Sequence, residues 1–61
     1  MDDELYSYDK YKGHHIYVQQ HAPERYCAFI YFNGTCVMEL FNNWPERALQ
    51  LAEEWVDGDQ R

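Results

Sequence analysis

Residues 28–41 consist of two apolar and aromatic runs around an Asn33-Gly34 pair. A two-residue type I′ turn needs positive φ at both central positions, and Asn-Gly meets that need at least cost. The pair therefore predicts a tight hairpin and sets its register. Phe32 faces Thr35, followed by Tyr31 with Cys36, Ile30 with Val37, Phe29 with Met38, Ala28 with Glu39, Cys27 with Leu40 and Tyr26 with Phe41. Upstream, His14 to Gln20 reads as another strand, with a loop at His21-Ala22-Pro23-Glu24, where proline suits a turn better than a ladder. Pairing Gln20 with Arg25 across that loop sets Val18 opposite Cys27, Ile16 opposite Phe29 and His14 opposite Tyr31. Strands are thus expected over about 14–20, 25–32 and 35–41.

Asn42-Asn43-Trp44-Pro45-Glu46 has the composition of a helix start. Asn43 is the expected N-cap, Glu46 its capping-box partner, and Pro45 stands where no amide hydrogen is missed. A helix is expected over about 44–57. At 100° per residue, Ala48, Leu49, Leu51, Ala52, Trp55 and Val56 share one arc, and Glu46, Gln50, Glu53, Glu54 and Asp57 the opposite one. Gly58 is placed to end it in a left-handed conformation. The expected fold class is α+β: a three-stranded antiparallel meander packed on one face by a single C-terminal helix, βββα, in one domain over 1–61.

Alternation along strands divides the sheet residues into two sets. One holds His14, Ile16, Val18, Cys27, Phe29, Tyr31, Cys36, Met38 and Leu40 and is assigned to the helix. The other contains Tyr17, Tyr26, Ile30, Phe32, Val37 and Phe41 together with Gln19, Thr35 and Glu39. One helix about 20 Å long shelters only one face of such a sheet. The second face must meet either the N-terminal Leu5-Tyr6-Ser7-Tyr8-Asp9-Lys10-Tyr11 segment, with residues 1–12 otherwise flexible, or another protein. Covering about 400 Å² of apolar surface contributes on the order of 10 kcal/mol before ordering costs, a large amount for so small a domain.

Charge and residue chemistry narrow the function. Eleven carboxylates against five basic residues give a formal charge of −6, which opposes phosphate backbones and acidic membranes and favours basic partners. Lys10, Lys12, Arg25, Arg47 and Arg61 form no basic stripe, so nucleic-acid binding through an aromatic sheet, the remotest alternative, lacks its main source of affinity. No run spans a bilayer, and the acidic start is unlike a signal peptide, so a cytoplasmic location is expected. In that compartment Asn33-Gly34-Thr35 is a turn and not a glycosylation site.

Under the hairpin register Cys27 and Cys36 lie roughly 13 Å apart, too far for a disulfide. His14 and His15 point to opposite faces, His21 sits in a loop, and no metal-ligand spacing occurs, so neither metal nor cofactor is expected. Ser7 and Thr35 lack an acid-histidine arrangement, the glycines form no phosphate loop, and the chain is short of walls for a pocket; no enzymatic activity or small-molecule substrate is expected.

What remains is a small acidic interaction module, possessing a partner-binding face at Tyr17, Tyr26, Ile30, Phe32, Val37 and Phe41. It would bind a protein or a second copy, a homodimer being simplest because an isologous contact needs one patch, and would serve a regulatory or inhibitory role. The alternative is an electrostatic inhibitor that mimics nucleic-acid charge through Glu46, Glu53, Glu54 and Asp57 and occupies a basic protein surface.

Overall fold

The computed structural model describes residues 4–59. Four strands and one helix follow in order: β1 (Glu4–Tyr11), β2 (His14–Ala22), β3 (Arg25–Phe32), β4 (Thr35–Asn42) and α1 (Pro45–Asp59). The strands form one antiparallel sheet in the order β1-β2-β3-β4. The fold is α+β with one C-terminal helix on the sheet, but the sheet has four strands where three are expected from the sequence.

The additional strand is the tyrosine-rich N-terminal segment. It neither wanders nor crosses the second face; it pairs edge-on with β2, Tyr11 opposite His14 and Tyr8 opposite Tyr17. A Lys12-Gly13 turn makes this possible, with φ of 49° and 81°, so both central residues are left-handed as a type I′ hairpin requires. Asn33-Gly34 adopts the same geometry, at 59° and 81°.

The β2–β3 turn is tighter than the sequence suggests. Pro23 and Glu24 alone form it, Glu24 taking φ 60°, and Ala22 pairs with Arg25. The register then shifts past His21, so that Gln20 meets Tyr26, Val18 meets Ala28 and Ile16 meets Ile30. A one-residue slip sends every side chain of a strand to the opposite face. Tyr26 and Ile30, expected on the free face, therefore turn toward the helix, and Cys27, Phe29 and Tyr31 turn away from it.

A second slip follows on β4. Phe32–Thr35 and Tyr31–Cys36 pair as expected, but Val37 is an extra residue and Ile30 then pairs with Met38 and Ala28 with Leu40. The two slips cancel on β4, leaving Met38 and Leu40 on the helix side as the sequence pattern indicates.

Ile16, Val18, Ala28 and Ile30 of the sheet and Ala48, Ala52 and Val56 of the helix are all 0% exposed and form the core. Tyr11, Tyr26, Met38, Leu40, Leu49 and Trp55 close its rim. His14 is buried at the sheet end, its Nδ1 3.0 Å from the Lys12 carbonyl oxygen and its ring stacked on Phe32 at 4.6 Å.

The helix entry differs from the expected capping box. The Trp44 N–H donates to Asn42 Oδ1 at 3.0 Å, and the Ala48 N–H donates to the Trp44 carbonyl at 3.0 Å. Trp44, not Asn43, is thus the N-cap, with Pro45 in the first helical position where its missing N–H costs nothing. Gly58 does not stop the helix, since only Gly13 and Gly34 take positive φ among the described glycines and α1 continues to Asp59.

Candidate protein interface

Residues directly paired across an antiparallel ladder share a face, so the observed registers give the face away from α1 as rows running across the strands. The first row is Lys10–His15–Tyr31–Cys36, the second Tyr8–Tyr17–Phe29–Glu39 and the third Leu5–Gln19–Cys27–Phe41. Aromatic rings occupy the middle of this face and its corner. Lys10 stands on the β1 edge and Glu39 on the β4 edge, both exposed.

The rings support one another. Tyr8 lies 5.0 Å from Tyr17, and Tyr17 meets Tyr31 edge-on at 5.5 Å and 88°. The Tyr8 hydroxyl is 2.6 Å from His15 Nδ1, and the two rings stack at 5.9 Å. His21 bridges Phe29 and Phe41, at 6.4 and 6.1 Å. Such pairs hold the rings in fixed orientations, which lowers the entropy lost when a partner covers them. A broad depression of about 530 Å³ lies over His15, Tyr17, Gln19, Phe29, Tyr31 and Gly34. Phe41 is 66% exposed, Leu5 57% and Tyr8 49%. No described element packs over this face, α1 lying on the other side, although Cys27 in its third row is fully buried.

Of the residues that the sequence assigns to a partner-binding patch, Tyr17 and Phe41 lie on this face. Ile30 is core, and Tyr26 packs against the core edge with Tyr6 at 5.5 Å. Phe32 leans on His14 on the helix side, and Val37 is the unpaired residue of the β4 slip. The face away from α1 is therefore composed differently from the expected patch: Tyr8, His15, Phe29 and Tyr31 stand on it. Missing Phe29 and Tyr31 follows from the His21 slip, whereas Tyr8 and Lys10 were readable from the alternation of residues 5–11 once Lys12-Gly13 is taken as a turn.

The acidic helix face is partly neutralised. Lys12 Nζ is 2.6 Å from Asp57 Oδ1, and the Tyr11 hydroxyl donates to both Asp57 oxygens at 3.1 Å. The Lys12 hydrogen bond holds the Asp57 carboxyl below the usual aspartate range against partial desolvation, with Tyr11 assisting. Lys12 and Tyr11 each have their pKa pushed up by their own hydrogen bond to Asp57. Glu53 turns toward β1, where desolvation, then the nearby Asp9 carboxylate, pushes its pKa up. Gln50 donates to Glu54 at 3.3 Å, and Glu46 is exposed. Asp2 and Asp3, which add charge in the sequence, lie outside the described residues.

Cys27 and Cys36 pair with Phe41 and Tyr31, four residues apart along β3, and remain thiols. Among the described residues no group of His, Cys, Asp and Glu side chains could hold a metal ion, and no helix is long and apolar enough to cross a membrane. The chain matches no family model, no curated protein and no solved structure.

Proposed function

We propose that this protein is a non-enzymatic protein-binding module whose contact surface is the sheet face opposite α1. One observation carries the proposal: a mutually braced band of aromatic rings, Tyr8, Tyr17, Tyr31, Phe29 and Phe41, stands on a face that no described element covers. Aromatic residues are enriched where partners bind, and fixed rings supply contact area at low entropy cost. A regulatory or inhibitory role in the cytoplasm is consistent with such a surface.

The competing proposal, an acidic helix that mimics nucleic-acid charge, rests on weaker ground because Asp57 is already paired and Glu53 faces Asp9. Site-specific photocrosslinking separates the two. With a benzophenone side chain placed at Tyr17 or Tyr31, discrete covalent adducts are expected in cells, and with the same group at Gln50 or Glu54 none. Adducts from the helix positions alone would remove the sheet-face proposal and favour the electrostatic one.

A further inference from the structure

We infer that the occupant of the open face is a second copy of this chain, packed face to face about a two-fold axis parallel to the strands; this rests on the interface proposed above. Read backward, the rows set ring against ring at the centre and apolar against apolar at one corner, with Lys10 over Cys36 and Tyr8 over Glu39 at the edges. A two-fold between β2 and β3 exchanges the β1 and β4 edges, so each row meets itself read backward. In the third row Leu5 then meets Phe41 of the partner copy, which joins two of the most exposed apolar side chains of the described chain. In the second row Tyr17 meets Phe29. At the edges Lys10 comes within one same-face step, about 7 Å along the strand, of the partner copy's Glu39, close enough for their side chains to pair.

The other two-fold, perpendicular to the strands, keeps each edge over itself and sets Glu39 on Glu39. Like charges opposed in a closing interface select against that arrangement, so the strand-parallel axis is the one the charges allow. Aligned sheet packing accommodates it after the usual rotation of about 30°.

Size and net charge are compatible with this dimer. Four strands at about 4.8 Å and six to seven residues at about 3.3 Å give a face of about 400 Å² per copy, about 800 Å² for the pair, which is below the roughly 1,200 Å² of a stable specific interface and fits a weak dimer. The net charge of −6 does not forbid association, because Glu46, Glu54 and Asp57 of α1 are exposed on the side of the sheet away from this face. Two sheets about 10 Å apart would separate the helices by well over the Debye length of about 8 Å at physiological salt.

The test uses the full chain and its charge-reversed variants in sedimentation equilibrium, from low micromolar to several hundred micromolar, with circular dichroism to verify folding. Lys10 and Glu39 are exposed, so Lys10→Glu and Glu39→Lys leave the core intact. The parent should self-associate to a dimer. Each single variant should weaken dimerisation by about tenfold or more, since every dimer contains the altered contact twice. The double variant should recover most of the loss, and an equimolar mixture of the two singles should form a heterodimer more tightly than either forms with itself. A parent that stays monomeric throughout, or single variants that dimerise as the parent does, overturns the inference. A monomeric parent that still gives adducts to a different protein from position 17 would leave the binding face standing and remove only the second copy.

Discussion

Truncating Ile30 and Phe29 to alanine, one at a time, tests which side of β3 is the core. Ile30 is fully buried between Ile16, Met38 and the helix side, whereas its neighbour Phe29 is partly exposed on the opposite face. Ile30→Ala removes three carbon groups at about 0.8 kcal/mol each, roughly 2.4 kcal/mol of transfer free energy, and the cavity left behind adds to that. A total near 3 kcal/mol is expected. A chain of this length has a stability of about 3–9 kcal/mol, so the variant stands near the edge of folding.

Thermal denaturation followed by circular dichroism gives the readout. At about 4–8 °C per kcal/mol, Ile30→Ala should lower Tm by roughly 12–24 °C. Phe29→Ala leaves no closed cavity and should cost the monomer about 1 kcal/mol, when compared at concentrations low enough to keep self-association from contributing. The reverse ranking, Phe29→Ala the more damaging in the monomer, would place β3 in the other register and refute the face assignment.

Three further outcomes follow from the turns and the helix anchor. Gly13→Ala and Gly34→Ala force a side chain into φ of +81° and should each cost about 1–2 kcal/mol in urea unfolding; an unchanged midpoint would rule out the type I′ geometry. Glu53 binds its proton more tightly folded than unfolded, so its contribution to stability falls as pH rises from the ordinary glutamate range through its raised value. Glu53→Gln should remove that slope and stabilise the protein at neutral pH by about 0.5 kcal/mol, the scale of a relieved like-charge contact; a loss of stability would show that Glu53 is not repelled. Asp57 has the opposite sign: its lowered pKa contributes stability above the ordinary aspartate value that disappears as pH falls through the folded value, and Asp57→Asn should abolish that acid dependence.

The sequence carries the hairpin at Asn33-Gly34 and the helix from Pro45 plainly, because each is set by residues a few positions apart. The Lys12-Gly13 turn was less legible since lysine is an uncommon first residue for two left-handed positions, although Gly13 and the tyrosine alternation before it were visible. The slips at His21 and Val37 have no local signature. An extra residue in a strand is fixed by what the rest of the strand gains in packing, and that gain depends on the helix, not on the neighbours of His21 or Val37. The candidate face inherited this blindness: its existence followed from counting surfaces, but its composition needed the register.

The helix shows why β3 turns its aliphatic side inward. Ala48 and Ala52, both fully buried, line the contact stripe and let α1 approach the sheet closely. A close approach leaves room for Ile16, Val18, Ala28 and Ile30 but not for Phe29 and Tyr31, whose rings would hold the helix off and open voids around the alanines. In the expected register those rings would face the helix; the extra residue at His21 relieves the conflict at the cost of one irregular ladder position. Expelling the rings produces the aromatic band on the far side. The same steric constraint that seals the small core therefore generates the surface through which the protein is proposed to bind, so enlarging Ala48 or Ala52 should disturb the core and the open face together.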